Sequence, residues 1–497
     1  MIRTRFAPSP TGFVHIGSLR TALFSFLFAR RENGIHVLRI EDTDQSRKVE
    51  GSVENLLKVM EELGIEFNEG ALVENGKLAE RGEFGPYLQS ERLPIYKKHA
   101  EQLINKGNAY YCFCTQEHLE EVKKEQIALK KPARYDRACR NLSQADVKAK
   151  LEKFKAAGKN PVIRQAVPLD GFTTINDLIY GQIIYEHKVL DDQIILKSDG
   201  FPTYHLAVVV DDHLMQITHV IRGEEWIPST AKHLLLYKAF GWEPTKFAHL
   251  PLILNPDKTK LSKRQGDVAV EDFLSKGYLK EALINFVAFL GWNPKTEKEI
   301  FSLDDLIKEF SLSNVNKAAA IFDTNKLDWM NGLYIRNKPL KELTELILPY
   351  WRKVGVDTDK YKREFLEAIV ELRRPRIKTL SEIGERTGYF FTPPEYENEI
   401  LIWKKGGKED AKEKLQELLE LFGGFADEDF NLENIEQKIK EFITSKNYQN
   451  GNVLWPLRVA LSGQKNSPSP FEIASVLFVG FGKDEILKRI KTAINKL

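Results

Sequence analysis

The chain has 497 residues. Because a single hydrophobic core stops growing at roughly 250–300 residues, this length predicts at least two domains. Its 42% hydrophobic and 29% charged residues are typical of a soluble globular protein, and its three cysteines exclude a secreted disulfide scaffold. The net charge of +2 does not by itself indicate nucleic-acid binding, which would require a local basic patch.

The N-terminal segment carries no targeting signal. It lacks an apolar run long enough for a signal peptide, and a motif that begins at Phe6 leaves no room for a removable leader. No stretch approaches the ~20 apolar residues of a membrane span. We therefore expect a cytoplasmic protein with no membrane association.

Residues 2–45 follow the order strand, loop, helix, strand. Arg3 to Ala7 is predicted to be extended and is followed by a turn cluster of Pro and Gly. The segment 18–31 contains neither Gly nor Pro and is predicted to be helical, and His36 to Ile40 is rich in strand-forming residues. This order predicts an α/β fold that starts a doubly wound parallel sheet of the Rossmann type.

The sequence pattern changes in the middle of the chain. Across residues 96–197, charged helical segments such as 119–131 alternate with short β-like runs such as 182–185, which indicates an inserted α+β module. Strand signals return at 206–210 and 219–222. Because the first of these is a continuous apolar run, we predict a strand buried on both faces of a parallel sheet, so that the insertion splits the nucleotide fold.

From about residue 270 onward, strand signals nearly vanish and the rest of the chain is predicted to be helical. The domain boundaries are therefore predicted in the order of the chain. They are 1–95 and 198–255 for the two halves of the Rossmann-like catalytic domain, 96–197 for the inserted module, 256–328 for a connecting domain, and 329–497 for an all-α C-terminal domain.

A first candidate motif, Ala7 to Ser18, follows the first predicted strand. Gly12 and Gly17 allow the backbone to approach a ligand closely. His15 and Ser18 lie where a helix N-terminus offers free N–H groups and positive dipole to a phosphate, and an imidazole there can bind a phosphate oxygen in the transition state. The alternative is a plain strand–turn–helix with a capping serine, because a short His-x-Gly-x element occurs by chance.

A second candidate motif, Asn255 to Arg264, places four cations within seven residues of a polar loop. The functional interpretation is a mobile loop in which Lys260 and Lys263 clamp the triphosphate of ATP, closing as a lid and reopening to release product. The alternative is a solvated basic loop, which an isolated charge run favours.

Together the two motifs resemble a known family. His15-Ile16-Gly17-Ser18 is similar to the H-I-G-H element of class I aminoacyl-tRNA synthetases, and Lys260 to Arg264 resembles their K-M-S-K-S element. Ser18 and Arg264 differ from the last residue of each element, as is usual in the glutamate-specific branch. Further stretches resemble that branch, the bacterial glutamyl-tRNA synthetases: 39–44, 85–92, 196–206, 211–213, 221–226 and 322–332.

The resemblance implies an enzyme that activates L-glutamate with ATP and Mg²⁺ and transfers it to the 3′ end of tRNA(Glu), with activation dependent on bound tRNA. We expect a monomer. His15, Lys260 and Lys263 are the implied catalytic residues. The implied ATP-binding residues are Pro8, Gly12, His15, Gly17, Ser18, Lys260, Ser262 and Lys263.

A glutamate pocket must pair two carboxylates and one ammonium group. Arginine suits carboxylates because its fork makes two parallel hydrogen bonds, and Arg5 and Arg222 lie beside predicted strand ends, where ligands of open α/β sheets gather. The alternative for Arg5 is a structural salt bridge with Glu41 between neighbouring strands. The glutamate-binding residues that the resemblance implies are Arg5, Ala7, Ser9, Glu41, Tyr204 and Arg222.

The cysteines form Cys112-x-Cys114 followed, after 24 residues, by Cys139. A structural zinc site needs four ligands. Tyr135 matches a tyrosine ligand of relatives that bind zinc in the inserted module, so the resemblance implies a zinc set with Tyr135 as the fourth member. The alternative, that the thiols only pack in a core, stays open.

Residues 329–497 resemble the helical anticodon-binding part of bacterial glutamyl-tRNA synthetases, and the resemblance makes 96–197 an acceptor-end module and 256–328 a stem-contact domain. Arginines can stack on and hydrogen-bond unstacked bases. The resemblance points to Arg376, with Arg374, as readers of the anticodon. Without the resemblance, these neighbouring arginines are better explained as part of a solvated helix face.

Four alternative functions differ in what they require. A non-discriminating enzyme that also glutamylates tRNA(Gln) is not distinguished by the sequence. A truncated paralogue that modifies queuosine lacks the helical C-terminal domain and an intact lysine loop. Other nucleotidylyltransferases with a His-x-Gly-His element are much shorter, and a non-enzymatic tRNA-binding protein would not need both His15 and Lys263.

Overall fold

The structure, a computed structural model, describes residues 1–47, 49–261, 268–404 and 406–497. The chain divides into two compact units. The first comprises Met1–Phe273 and Leu283–Thr324, and the second comprises Leu274–Ala282 and Asn325–Leu497. No helix in the described part of the chain combines the length and the apolar content that crossing a bilayer requires.

The strands of the described residues are, in chain order, β1 (Arg3–Phe6), β2 (Ile35–Leu38), β3 (Glu69–Glu74), β4 (Lys77–Arg81), β5 (Ala109–Cys112), β6 (Val162–Gln165), β7 (Phe172–Asp177), β8 (Gly181–Glu186), β9 (Ile194–Leu196), β10 (His219–Gly223), β11 (Lys246–Leu250), β12 (Ile253–Leu254) and β13 (Ala320–Ile321). The main sheet has the order β4-β3-β2-β1-β10-β11-β7-β8. The six central strands of the sheet, β3, β2, β1, β10, β11 and β7, are parallel. The two edge strands, β4 and β8, are antiparallel to their neighbours.

The helices that begin before residue 310 are α1 (Ile16–Arg31), α2 (Ser52–Glu62), α3 (Leu93–Asn105), α4 (Gln116–Ala128), α5 (Gln144–Ala156), α6 (Tyr204–Leu214), α7 (Ile227–Phe240), α8 (Val270–Ser275), α9 (Lys280–Ala288) and α10 (Leu303–Glu309). The predicted opening of the fold is confirmed, since β1, α1 and β2 follow one another and the two strands pair in parallel. Because parallel strands end at the same edge of a sheet, the residues after β1, β2 and β10 meet there.

The prediction of a strand at 206–210 is wrong, because these residues lie within helix α6. The apolar run Leu206 to Val210 is completely or almost completely buried, as predicted. A short run that is buried all round does not distinguish a strand from a helix, and here tertiary burial overrides the strand propensity of three consecutive valines. The helix continues to Leu214 and so carries Asp211 and Asp212 into the interior.

Residues 96–197 contribute strands to two sheets. Strands β5, β6 and β9 form a separate antiparallel sheet. The hairpin β7–β8 instead extends the main sheet, because Asp177 of β7 pairs with Phe247 of β11. The inserted segment therefore contributes both a separate layer and part of the nucleotide-type sheet.

The second unit is helical throughout its described residues. Its helices are α11 (Thr324–Asn337), α12 (Leu340–Lys353), α13 (Arg363–Arg373), α14 (Ser381–Arg386), α15 (Gly388–Phe391), α16 (Lys408–Gly423), α17 (Leu432–Ser445), α18 (Asn450–Ser462), α19 (Pro470–Phe481) and α20 (Lys483–Lys496). In α17, Ile435, Ile439 and Ile443 recur every four residues and are buried, which gives the helix one apolar face against the core. The predicted helical C-terminal region is confirmed.

Candidate active site

A cleft of about 1010 Å³ opens at the carboxyl edge of the main sheet in the first unit. It brings together most of the residues that the two motifs and the resemblance single out. Gly12 does not line it, although its neighbour Thr11 does, and Ser262 and Lys263 lie outside the described residues. The predicted residues that line the cleft are Arg5, Ala7, Pro8, Ser9, His15, Gly17, Ser18, Glu41, Tyr204, Arg222 and Lys260.

His15 caps the N-terminus of α1 with its own ring. Its Nδ1 accepts a hydrogen bond of 2.9 Å from the backbone N–H of Gly17, so the proton of the neutral imidazole is on Nε2. A side chain at position 17 would place its Cβ 3.2 Å from that Nδ1, which explains the glycine. The positive end of the helix dipole and an imidazole donor thus meet at the start of α1, and both favour an anion there.

Lys260 lies at the base of the basic loop. A short antiparallel bridge joins it to Leu254, and the N–H of Leu261 donates to the carbonyl of Ile253 at 3.1 Å. These contacts close residues 253–261 into a hairpin, and Lys260 lines the same cleft as His15. Lys260 and residues of the first motif therefore line one cleft.

A buried carboxylate organises the opposite end of the cleft. Asp212 Oδ1 accepts from Arg5 Nε at 3.2 Å and from Arg39 Nη1 at 2.7 Å, and Arg39 Nη2 donates to Glu41 Oε1 at 3.1 Å. The structure thus joins Arg5 to Asp212 and Glu41 to Arg39, in place of the direct Arg5–Glu41 salt bridge considered above. One continuous network fixes both the cationic and the anionic group of the proposed glutamate site.

In this network, burial and the neighbouring charges shift the pKa of each group in opposite directions. Burial raises the pKa of Glu41 above its ordinary value of 4.5, although the positive charges of Arg39 and Arg5 oppose the shift. For Arg39, burial disfavours the charged form, but the negative charges of Asp212, Glu41 and Asp211 raise the pKa well above its ordinary value. The arginine therefore remains a cation without contact with solvent.

Sequence reasoning did not identify Asp212. The acidic pair Asp211-Asp212 stands directly after the apolar run that was predicted to be a strand. Had that run been predicted as a helix, two carboxylates at its buried end would have indicated a charged partner, since buried acidic side chains are rare unless paired.

The family comparison decides what kind of cleft this is. A family model described as class I tRNA synthetases (E and Q), catalytic domain, matches residues 1–329. The chain belongs to this synthetase family. A model described as an anticodon binding domain matches residues 342–494 of this class I synthetase.

Curated relatives match the class I synthetase over its full length. The "Glutamate--tRNA ligase" of Clostridium tetani (strain Massachusetts / E88) is 46% identical and covers 100% of this chain and 98% of its own. A solved glutamate tRNA ligase from Elizabethkingia meningosepticum CCUG26117, in complex with its amino acid, is 37% identical with a TM-score of 0.86 and covers 99% of both chains. The glutamate-tRNA synthetase of Elizabethkingia anophelis is 36% identical with a TM-score of 0.84, again over 99% of both chains.

The three cysteines of the synthetase form one cluster with Tyr135. The Sγ atoms of Cys114 and Cys139 are 3.6 Å apart, and the Tyr135 hydroxyl lies 3.3 Å from Cys112 Sγ and 3.4 Å from Cys114 Sγ. Tetrahedral zinc with Zn–S bonds near 2.3 Å places sulfurs about 3.8 Å apart, so the spacing fits such a set. Contacts with Cys139 and Tyr135 lower the pKa of the Cys112 thiol to about 4, despite its burial.

The predicted basic cluster of the second unit lies on a short 3₁₀ turn after α13. Arg374 Nη2 pairs with Glu371 at 2.8 Å. Arg376 Nη2 pairs with Glu472 at 2.9 Å, and its side chain remains 45% exposed. Both guanidinium groups are thus oriented by acidic neighbours, and their exposure leaves room for a further contact.

The shared carboxylate gives a stability prediction. In D212N, two buried arginines lose the anion between them, and we expect the local free energy of unfolding to fall by about 3 kcal/mol, the low end for a broken buried pair because Asp211 remains near Arg39. Native-state hydrogen exchange of the β1 amides measures this change. The matched control E66Q, which removes an exposed partner of Arg30, should change the same amides by less than about 1 kcal/mol. Equal effects of the two variants would contradict the assignment.

Proposed function

We propose that the chain is a glutamate–tRNA ligase, which activates L-glutamate with ATP and transfers it to the terminal adenosine of tRNA(Glu). One observation carries the proposal. A single cleft joins a phosphate-type end, with His15 and Lys260, to a carboxylate-type end with Arg5 and Arg222. The curated relative from Clostridium tetani carries this activity in its name and matches the full length of the chain.

The first step needs no nucleophile from the protein. An oxygen of the α-carboxylate of glutamate attacks the α-phosphorus of ATP in line, the bond to the bridging oxygen breaks, and pyrophosphate leaves. Positioning and charge stabilisation supply the rate enhancement of such a transfer. The Nε2–H of His15 donates to the phosphate as charge develops, Lys260 and Lys263 hold the leaving oxygens, and Mg²⁺ arrives bound to the phosphates of ATP. Pro8, Gly12, Gly17, Ser18 and Ser262 complete the nucleotide site.

The second step transfers the glutamyl group. The 2′-hydroxyl of the terminal adenosine attacks the acyl carbon of the adenylate, the hydroxyl loses its proton, and AMP leaves. Glutamate is held by its carboxylates on Arg5 and Arg222 and by its ammonium on Glu41. Tyr204, Ala7 and Ser9 shape the rest of the pocket.

The remaining parts of the chain are proposed to bind tRNA, with the enzyme acting as a cytoplasmic monomer. Arg376 and Arg374 are the proposed anticodon contacts, since their exposed guanidinium groups suit unstacked bases. The proposed roles are catalysis for 1–95 and 198–255, acceptor-end binding for 96–197, stem contact for 256–328, and anticodon binding for 329–497.

The role of His15 can be separated from its role as a helix cap. In H15N, the amide oxygen can still accept from the N–H of Gly17, because Asn is a good N-cap, but no donor reaches the position of Nε2. We expect the glutamate- and tRNA-dependent ATP–pyrophosphate exchange rate to fall by about 10²–10³-fold with little change in melting temperature. H15A should lose the same activity and also about 0.5–2 kcal/mol of stability.

The proposed activity is tested by tRNA charging together with the exchange assay. Wild-type protein should charge tRNA(Glu) with labelled glutamate, and absence of both charging and exchange would sink the proposal. Full exchange activity in H15N would show instead that His15 acts only as a cap.

Glu41 predicts a pH dependence of glutamate binding. Its carboxyl must be ionised to hold the substrate ammonium, and burial raises its pKa above 4.5. KM for glutamate should therefore rise as the pH falls from about 8 toward about 5.5, a range in which the substrate's own carboxylates stay ionised. In E41Q, KM should be at least about tenfold higher and nearly independent of pH over this range. A wild-type KM that stays flat while that of E41Q varies would contradict the role.

We further propose that Cys112, Cys114, Cys139 and Tyr135 hold a structural zinc ion, since the distances within the cluster fit a tetrahedral set. Such an ion would cross-link β5 to the loop that carries Tyr135 and Cys139. It would have no part in the chemistry of the distant residues of the cleft.

Metal analysis tests this site. The wild-type protein should contain about one zinc ion per chain, and C139S about none. Y135F should bind zinc more weakly, whereas Y111F, which removes the hydroxyl of another tyrosine that packs against this core, should retain it. A wild-type protein without zinc would favour thiols that only pack in a core.

A further inference from the structure

Arg222, at the end of β10, is held in a different way from Arg5. The guanidinium is buried, and each of its three nitrogen atoms donates a hydrogen bond to a described residue. Arg222 Nε donates to His249 Nε2 at 3.1 Å, Nη1 donates to the Tyr204 hydroxyl at 2.8 Å, and Nη2 donates to Thr230 Oγ1 at 2.7 Å. Arg5 is bound to a carboxylate, but these partners of Arg222 are an imidazole and two hydroxyls.

His249 is in turn oriented by Asp177. The Nδ1 of His249 lies 2.6 Å from Asp177 Oδ2, and both side chains are fully buried. An imidazole that donates from Nδ1 to a carboxylate has its lone pair on Nε2, which is the atom that accepts from Arg222. The contact with Asp177 therefore selects the tautomer that the arginine needs, as second-layer carboxylates do for metal-bound histidines.

Hydrogen bonds to both oxygens fix the orientation of the Asp177 carboxylate. Its Oδ1 accepts from the backbone N–H groups of Ile179 and Tyr180, both at 2.9 Å, and its Oδ2 faces the N–H of His249 at 3.2 Å as well as the ring. The pairing of β7 with β11 fixes the backbone of both residues. A chain of contacts thus runs from a backbone turn through Asp177 and His249 to the arginine in the cleft.

We propose that Asp177 and His249 are positioning residues for glutamate binding, acting through Arg222. The inference rests on the proposed function and adds to it the pair that orients one of its two arginines. The described hydrogen-bond partners of Arg222 carry no formal charge while His249 is neutral. The positive charge of Arg222 is therefore available to an anionic ligand in the cleft.

The surroundings of His249 keep it neutral. Burial lowers its pKa below 6.5, and the positive charge of Arg222 adds to this, while the negative charges of Asp177 and Glu225 oppose it. His233, which also faces this group, has a pKa well below 6.5 because of burial and of Arg222. The imidazole therefore serves as an acceptor at neutral pH.

Three substitutions separate the two contacts of the pair. H249Q can place an amide oxygen where Nε2 accepts from Arg222, whereas H249N keeps a donor toward Asp177 and loses that acceptor. In D177N, the two backbone N–H groups retain the oxygen, so the amide nitrogen must face His249. The ring then has to carry its proton on Nε2, where it opposes the N–H of Arg222.

The test measures KM for glutamate and for ATP in the exchange reaction, and glutamate binding by calorimetry, in the full-length protein with tRNA. We expect H249N and D177N to raise KM for glutamate by at least about tenfold, with KM for ATP within about threefold of wild type. H249Q should recover most of the loss. The matched control is H219N, a buried histidine at the start of the same strand as Arg222, which should leave both KM values unchanged.

The outcomes distinguish the two proposals. If the wild-type protein binds glutamate and the three variants bind it equally well, the positioning role is wrong and the proposed function stands. The positioning role is also wrong if H249Q is as impaired as H249N, or if KM for ATP rises in parallel with KM for glutamate. A wild-type protein that binds no glutamate would overturn the proposed function together with this inference.

Discussion

The interactions of the Asp212 carboxylate determine the geometry of the proposed glutamate site. The carboxylate lies in the interior and binds arginines that come from β1 and from the end of β2. A buried charge is tolerated only when it is paired and hydrogen-bonded, so the arginines and the carboxylate require one another. Helix α6, which delivers Asp212, therefore fixes the spacing of two strands and the orientation of Arg5 in one contact.

Arg5 and Arg222, the two arginines proposed to bind glutamate, are held in two different ways. Arg5 shares an anion with Arg39, so its charge is largely compensated before any ligand binds. Arg222 donates to an imidazole and two hydroxyls, which pair three of its five N–H groups without neutralising it. A pair of arginines of which one is bound to a buried carboxylate and the other to uncharged groups suits a substrate that carries two carboxylates and an ammonium group.

Much of the site followed from local sequence signals. The first motif predicted a loop and a helix N-terminus, and the structure adds that His15 is itself the cap of that helix. The ends of β1 and β10 were predicted correctly, which was enough to bring Arg5 and Arg222 to one edge. Lys260 joins them because a hairpin returns the basic loop to the same edge, whereas Ser262 and Lys263 lie outside the described residues.

The sequence by itself determined the opening order of strand, helix and strand, the family and most of the predicted residues that face the cleft, because these depend on local patterns and on motifs of fixed spacing. Only the tertiary structure decided that 206–210 is a helix, that Asp212 pairs with Arg5, and that Asp177 orients His249. Each of these contacts joins residues separated by 72 or more positions, apart from the helix itself. The second pair depends on which strands become neighbours in the sheet, and the first on how α6 packs against the sheet, and both are set by the packing of the whole domain.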